Sequence, residues 1–179
     1  MHGLILSELQ RYARGRLGAD GWQKLLAEAG LGDRKYRVHA SYPDQDAAAL
    51  VQAAVRVTGQ PAATVLEDFG QFVASSLLLV YKAMVKPDWK TLDLIEHTEE
   101  SIHTALRATD PAATPPALEV ERVSPTAAVL TYRSPRRMCA LAKGIAKGIA
   151  AHYGERLTIT EAACMSTGVP ACRMEFRVG

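Results

Sequence analysis

The sequence predicts an α+β fold in which a helical N-terminal part (about 1–110) precedes a mixed C-terminal part (about 117–179). Three observations lead to this prediction. Apolar residues recur at helical spacing until about residue 107, and after Pro116 the spacing changes to the period of two that is typical of strands. A proline-rich connector, TDPAATPP, separates the two patterns, and its prolines exclude a continuous helix. The length of 179 residues fits one domain with a substantial core.

The N-terminal part contains five helical patterns. They cover residues 4–17, 22–29, 44–57, 64–82 and 89 to about 107. Gly30 is a plausible end for the second, and Gly59-Gln60-Pro61 interrupts the chain after the third. The fourth is the longest continuous apolar pattern, so we expect it to be the central helix.

The C-terminal part is predicted to be a four-stranded antiparallel sheet with one helix. Its strand patterns cover residues 118–123, 128–132, 157–162 and 172–178. The helix is expected to run from Arg136 to Tyr153, with Gly154 as its C-cap. A helical half joined to a hairpin–helix–hairpin half can enclose a cleft, and such junctions are common ligand sites.

Composition excludes several classes of protein. A hydrophobic content of 48% with a formal net charge of +2 excludes a disordered chain and gives no sign of a nucleic-acid-binding surface. The longest apolar run, residues 72–80, is far shorter than the about 20 residues needed to span a bilayer, so we expect no membrane span. No signal peptide is evident, and a cytoplasmic location is the expectation. No phosphate-binding, hydrolase or metalloprotease motif is present, so the chain is not expected to be an enzyme.

His103 is the histidine best placed to be a buried ligand. It follows Ile102 and precedes Leu106 by about one turn, at the border of an apolar helix face. A neutral imidazole there would suit the iron of a buried haem, although a lone histidine is more often a surface or hydrogen-bonded residue. His97 lies six residues earlier, about 240° around a helix, so both rings cannot enter one pocket. Periodicity alone does not choose between the two.

The run TYRSPRR, residues 131–137, gathers two hydroxyls and a guanidinium at the end of a strand. Tyr132 and Ser134 are two residues apart and therefore share a face, and Arg136 opens the predicted helix. Arginine binds carboxylates through paired hydrogen bonds, and hydroxyls add neutral donors. The run indicates either a receptor for carboxylates or a solvated turn between a strand and a helix.

Three cysteines form a third candidate site, and their odd number argues against a secreted disulfide framework. Cys164 and Cys172 flank a turn-prone run, and Cys139 lies on the preceding helix. The three thiols could meet if that helix packs on the hairpin, with Glu161 or an outside group as a fourth metal ligand. The spacing is not that of a zinc knuckle, and buried reduced cysteines that serve as small apolar residues are the alternative.

Taken together, these features resemble the haem nitric oxide/oxygen-binding (H-NOX) family, the sensor domain found alone in bacteria and as the regulatory part of soluble guanylate cyclase. The resemblance extends over the whole chain. It includes the segments MHGLI at the start, WQKLLAEAGL at 22–31, YPD at 42–44, FGQF at 69–72, IH at 102–103 and YRSPRR at 132–137. The most specific motif is Y-x-S-x-R, here Tyr132, Ser134 and Arg136.

The resemblance implies a single H-NOX-like domain over residues 1–179, with haem b between the helical and the α+β parts. His103 matches the proximal iron ligand, and Tyr132, Ser134 and Arg136 match the residues that bind the haem propionates. The run CMSTGVPAC, from Cys164 to Cys172, is similar to a zinc-binding run of several bacterial relatives. With Cys139 this implies a zinc site of three cysteines.

The implied zinc site departs from the family at its fourth ligand. Glu161 stands where those relatives have histidine. A carboxylate oxygen can bind zinc, but it is a harder donor than an imidazole nitrogen.

The distal pocket implied by the resemblance contains no hydrogen-bond donor. It comprises Ile5, Leu9, Ala74 and Leu141. Oxygen-binding members carry a tyrosine at the position of Leu141, and bound dioxygen gains from such a donor. The resemblance therefore implies stable binding of NO, binding of CO, and no stable complex with dioxygen.

As a mechanism, the resemblance implies that NO weakens or breaks the bond between the iron and His103, so that the two parts move about a hinge at TDPAATPP. With no catalytic domain in the sequence, the signal is expected to pass to a separate protein such as a histidine kinase, a diguanylate cyclase or a chemotaxis receptor. The alternative function is a haem-free thiol or zinc redox-sensing module built on the cysteines. An enzyme is the least supported reading.

Overall fold

The computed structural model describes residues 1–179, and its N-terminal half begins with four α-helices. These are α1 (Gly3–Leu17), α2 (Gly21–Glu28), α3 (Asp44–Thr58) and α4 (Ala62–Val80). Their inward-facing residues share one core, in which Trp22, Leu25, Leu50, Phe69 and Val73 are buried. Gly59 ends α3 with a left-handed backbone, φ 68°, which glycine adopts without the clash that a Cβ atom causes.

The fifth predicted helix is present in three pieces. α5 covers Thr91–His97, a π-helical turn covers Glu99–His103, and α6 covers Thr104–Thr109. In the π-helical turn the backbone N–H groups of Ile102 and His103 both donate to Thr98 O, each at 3.0 Å. The extra residue in this turn changes which side chains face inward, and a uniform helical period does not anticipate it.

The four predicted strands form one antiparallel sheet in the order β1-β2-β4-β3, so the α+β prediction is confirmed. The strands are β1 (Ala117–Ser124), β2 (Ala127–Arg133), β3 (Leu157–Ala163) and β4 (Cys172–Val178). The two central strands pair buried residue with buried residue, as in Leu130 with Met174 and Tyr132 with Cys172. Alternate residues thus turn one apolar face of the sheet towards the helices.

The remaining helix, α7 (Cys139–His152), begins three residues later than predicted. Arg136 does not open it. The N–H of Arg137 donates to Ser134 O at 3.1 Å, and Arg137 itself has a φ of 52°. This left-handed turn cannot continue into a helix, so Arg136 remains in a tight turn between β2 and α7.

Helices α4 and α7 pack so closely that glycines are required between them. A Cβ atom on Gly144 would lie 2.1 Å from the carbonyl oxygen of Glu67, and one on Gly70 would lie 2.5 Å from that of Leu141. Neither glycine has an unusual backbone in this contact, so the requirement is one of space. The glycines join the helical half to the α+β half through backbone contact.

Helix α4 is the one helix long and apolar enough to cross a membrane, with 19 residues and a mean hydropathy of 1.3 in its most apolar window. The expectation that no segment spans a membrane rested on the apolar run at residues 72–80, which is only part of this helix. Length and apolarity alone are weak support for a span, because core helices have the same properties. Here α4 packs against α7 and carries the buried residues Phe69, Gly70, Val73 and Ala74.

Candidate functional site

A large apolar cavity lies between the helical half and the sheet. It is lined by 30 residues, of which 23 are hydrophobic, so it suits a ligand with an extended apolar body. Side chains from α1, α4, α5, the π-helical turn, β1, β2 and α7 reach it, as does the proline-rich connector. The predicted cleft between the two parts is therefore present.

His103 lines this cavity from the π-helical turn, and its side chain is 13% exposed. Its Nδ1 atom lies 2.9 Å from Oε2 of Glu99. Burial lowers the pKa of His103 below its usual value, while the hydrogen bond and the charge of Glu99 oppose this shift. The ring is therefore neutral near pH 7, and Nε2 is left as the ring atom that can bind a metal.

His97 takes no part in the cavity. Its ring stacks on Trp89 with centroids 4.6 Å apart, and its Nδ1 pairs with Glu100. The expectation that the two rings cannot share one pocket agrees with this placement. His2 also lines the cavity, although no sequence pattern singled it out; its Nδ1 accepts from the N–H of Leu4 at the start of α1.

The Y-x-S-x-R residues lie together beside the cavity. Tyr132 and Arg136 line it, whereas Ser134 is buried beside it and its Oγ accepts from the N–H of Arg136 at 3.3 Å. Burial raises the pKa of Tyr132, and Ser134 and Arg136 oppose that rise. The Tyr132 hydroxyl is thus protonated at neutral pH and can donate a hydrogen bond.

Arg136 brings a guanidinium to the cavity lining. Its Nη1 donates to Asp44 at 3.1 Å and to Thr114 Oγ1 at 3.0 Å, and the N-terminal ammonium of Met1 donates to the same Asp44 carboxylate at 2.7 Å. Two cations therefore share one carboxylate. The surplus positive charge favours an additional anionic group there.

Three of the four predicted distal residues reach the cavity. Ile5, Ala74 and Leu141 line it, and none of them offers a hydrogen-bond donor. Leu9 is not among the lining residues; it packs in the core of the N-terminal helices. Leu4 and Ile5, in the first turn of α1, line the cavity, whereas Leu9 lies one turn further along the same helix and packs among the neighbouring helices.

Several cavity residues were missed by the sequence reasoning. They are Leu77, Leu78 and Tyr81 from or next to α4, and Ala142, Ile145 and Ile149 from α7. Those from or next to α4 follow Ala74 by three, four and seven residues, and Ile145 and Ile149 follow Leu141 by four and eight; this helical spacing is the signal that could have found them. Burial raises the pKa of Tyr81 above its usual value, so this residue brings a protonated hydroxyl to the apolar lining.

The three cysteines converge as the helix-on-hairpin arrangement predicted. Sγ of Cys164 lies 3.7 Å from Sγ of Cys139 and 4.0 Å from Sγ of Cys172. With a carboxylate oxygen of Glu161, the potential ligand atoms all lie within 4.8 Å of one another. These separations fit a single ion bound by all four groups, because zinc–sulfur bonds are about 2.3 Å long.

The charge state of this cluster depends on its neighbours. Burial, together with the adjacent thiols of Cys172 and Cys164, raises the pKa of Cys139 to about 12. Lys143 donates to Glu161 at 3.0 Å. The Cys139 thiol is therefore protonated at neutral pH, beside an ion-paired carboxylate.

The residues present fit a haem on three counts taken from this structure. The lining is predominantly apolar, a neutral imidazole with an available Nε2 borders it, and the guanidinium that lines it could pair with ring carboxylates. Haem iron is commonly held by one histidine in this way.

Comparison with known proteins agrees with the fold. A family model described as Haem-NO-binding matches residues 2–161. An H-NOX protein from S. oneidensis in the Fe(II)NO ligation state has a TM-score of 0.92 at 25% identity, with 100% of this chain and 99% of that chain covered. The Fe(II) unliganded H-NOX protein from K. algicida has a TM-score of 0.87 at 16% identity, with 100% of this chain and 97% of that chain covered. At that identity the likeness shows the fold alone.

Animal relatives match a smaller share of their own length. Soluble guanylate cyclase 89Da of Drosophila melanogaster is 24% identical over 137 residues, which are 76% of this chain and 20% of that protein. Soluble guanylate cyclase gcy-31 of Caenorhabditis elegans is 25% identical over 138 residues, with the same shares. This chain thus spans about a fifth of their length. The match over residues 2–161 places the chain in the Haem-NO-binding family, the family of H-NOX haem gas-sensor domains.

Proposed function

We propose that this chain is a haem-based sensor of nitric oxide, formed by residues 1–179 as one domain, that binds haem b and signals to a partner protein. The observation that carries the proposal is the neutral imidazole of His103 at the border of a predominantly apolar cavity that Arg136 also lines. A bound haem would supply a ferrous iron with one position for a gas ligand.

The protein's own residues have distinct roles in this proposal. His103 would bind the iron through Nε2, while Tyr132, Ser134 and Arg136 would orient the two ring carboxylates through a guanidinium and neutral hydroxyls. The apolar residues of α4 and α7 that line the cavity would exclude water from a bound ring. His103 lies in the π-helical turn between α5 and α6. A change in the bond between the iron and His103 would therefore displace both helices.

Gas selectivity would follow from the distal lining. Ile5, Ala74 and Leu141 are apolar and give a polarised dioxygen no donor, whereas NO needs no such donor. We therefore propose stable NO binding, CO binding, and no long-lived oxygenated form. In support, solved H-NOX proteins similar to this chain include Fe(II)NO and Fe(II)CO ligation states.

The decisive experiment is an absorption spectrum of the purified, reduced protein with an NO titration. We expect a Soret band that shifts on addition of stoichiometric NO and that His103→Gly abolishes or strongly perturbs. His97→Gly is the matched control, because that ring lies outside the cavity. A protein without a Soret band after haem supplementation would favour the haem-free thiol or zinc module instead.

The output is proposed to be a change in a partner's activity. A separate protein such as a histidine kinase, a diguanylate cyclase or a chemotaxis receptor would carry the response. The three unpaired cysteines agree with a reducing compartment such as the cytoplasm. Partner activity measured with the reduced protein, before and after NO, should differ; equal activities would count against that partner.

A second candidate ligand is zinc at the Cys139, Cys164, Cys172 and Glu161 cluster. The mutual separations of at most 4.8 Å between their ligand atoms favour this proposal. The cluster lies beside Tyr132, which pairs with Cys172 across β2 and β4, so the two sites share a wall. Zinc would then serve as a structural ion or, through the thiols, as part of a redox input.

A further inference from the structure

Glu99 contacts His103 at Nδ1, the ring nitrogen opposite the Nε2 atom that is available to a metal. Its Oε2 accepts from Nδ1 of His103 at 2.9 Å and from the backbone N–H of Leu118 at 3.1 Å. Its Oε1 accepts from Nη2 of Arg107 at 2.5 Å. Donors from the same helix and from strand β1 therefore fix the carboxylate in one orientation.

The backbone, and not only the side chains, sets this arrangement. Glu99 and His103 are the first and last residues of the π-helical turn, which places both side chains on nearly the same side. Oγ1 of Thr104 also donates to the carbonyl of Glu99 at 3.1 Å. Single π-helical turns are uncommon and occur frequently at functional sites.

The pairing determines both the tautomer and the electron density of the imidazole. A carboxylate only accepts hydrogen bonds, so Nδ1 must carry the proton and Nε2 must carry the lone pair. Arg107 and the Leu118 N–H favour the ionised form of Glu99. A charged acceptor at Nδ1 increases the basicity of a ligating histidine more than a neutral carbonyl does.

We propose that Glu99 is a positioning residue that makes His103 a strongly electron-donating iron ligand, which favours the oxidised iron and slows the loss of the His103 bond when NO binds. This inference rests on the proposed function, because it takes His103 as the iron ligand. Glu99 would act only through His103. It would determine how fast the bond between the iron and His103 is lost after NO binds.

The test compares Glu99→Gln with Glu100→Gln in the haem-loaded protein. The first variant keeps the size and an acceptor but removes the charge. The second makes the same change one residue later, at an exposed side chain that pairs with His97. Three properties are measured: the iron–histidine stretching frequency by resonance Raman spectroscopy, the midpoint potential, and the rate of His103 dissociation after rapid mixing with NO.

For Glu99→Gln we expect a lower stretching frequency, a higher midpoint potential and a dissociation rate raised about 10-fold or more, the usual size of an outer-shell effect. Glu100→Gln should leave all three unchanged. Unchanged values in Glu99→Gln, with a normal iron–histidine band in the parent protein, would overturn the inference while the proposed function stands. Absence of that band from the parent protein would overturn the proposed function first.

A purely structural role for Glu99 has a different signature. Glu99→Asp keeps the charge with a shorter side chain, so it should recover part of the frequency and potential even if both variants bind haem less tightly. If Glu99→Gln and Glu99→Asp lose haem equally, and the loaded fraction of each keeps the parent frequency and potential, the inference is wrong.

Discussion

Asp44 and Arg136 join the helical half to the α+β half. Nη1 of Arg136 lies 3.1 Å from Oδ2 of Asp44, and the ammonium of Met1 lies 2.7 Å from Oδ1. Asp44 is in the first turn of α3, whereas Arg136 is in the turn before α7. The Asp44 carboxylate therefore binds both the N-terminal ammonium and Arg136, the residue that we expect to bind the haem carboxylates.

Replacing that carboxylate with Asp44→Asn should destabilise the protein at pH 7 by about 1 kcal/mol, since Asp44 is 40% exposed and solvent screens the pairs. Burial raises the pKa of Asp44, but the ammonium and Arg136 lower it more, so the net pKa is below its usual value. The stabilisation is therefore complete above an unfolded-state pKa of about 4 and is lost as the pH falls through the lower folded-state value.

Chemical denaturation of both proteins between pH 3 and 7 measures this effect. The difference between the parent protein and Asp44→Asn should be largest at pH 7 and should shrink towards pH 3. A difference that is constant over this range would show that the carboxylate's charge is not involved.

Gly144→Ala should disrupt the contact between α4 and α7, because the new methyl group would lie 2.1 Å from the Glu67 carbonyl oxygen. We expect a loss of about 1–3 kcal/mol or more, which corresponds to a lower Tm by roughly 2–4 °C per kcal/mol. Gly15→Ala is the matched control. It lies on α1 with open space around it and should be neutral or stabilising by up to about 1 kcal/mol. Equal melting temperatures for Gly144→Ala and the parent would contradict the packing described.

Leu141→Tyr should introduce a hydrogen-bond donor into the apolar distal lining. The variant is expected to show a longer-lived oxygenated spectrum than the parent protein when the reduced samples are exposed to air. Leu141→Phe supplies the ring without the hydroxyl and should behave like the parent. If the parent itself holds dioxygen stably, Tyr81→Phe tests whether the hydroxyl of Tyr81 is the donor.

Zinc binding should depend on the identity of residue 161. Glu161→Ala is expected to weaken zinc binding by at least about 10–100-fold, whereas Glu161→His should strengthen it, because an imidazole nitrogen suits zinc better than a carboxylate beside three thiolates. Competition with a chromogenic chelator measures the affinities. Identical affinities in all three proteins would exclude Glu161 as a ligand.

Zinc affinity should also rise with pH. Burial and the neighbouring thiols raise the pKa of Cys139 to about 12 in the metal-free cluster, so zinc must displace a proton that is otherwise tightly held. We expect the affinity to increase steadily from pH 6 to pH 8, with proton release detectable by calorimetry in buffers of different ionisation enthalpy. An affinity independent of pH would argue against binding through the thiolates.

The fold class was predictable because its signals are local. The change from helical spacing to alternation after Pro116 identified the two parts, and β2 and β4 then followed the alternation residue by residue. Helix ends were less predictable. Arg136 stays outside α7 because of one left-handed residue, Arg137, whose conformation no side-chain pattern indicates.

The candidate site was predictable only where a motif carried it. His103, Tyr132 and Arg136 reach the cavity, but Leu9, one turn beyond Ile5 on α1, packs in the helical core, because where the cavity ends along a helix depends on the elements that surround it. The spacing of Glu99 and His103 allowed a contact along the helix. It could not show that Arg107 and strand β1 hold the carboxylate in place.

The sequence by itself determined the two-part architecture, the histidine at the border of an apolar face, and the carboxylate-binding run after a strand, since periodicity and residue chemistry act over a few neighbouring positions. Only the tertiary structure decided that Cys139, Cys164 and Cys172 meet, that Asp44 pairs with Arg136, and that α4 and α7 touch at glycines. These relationships join residues 8 to 92 positions apart. Such contacts depend on how whole elements pack, which short-range patterns do not encode.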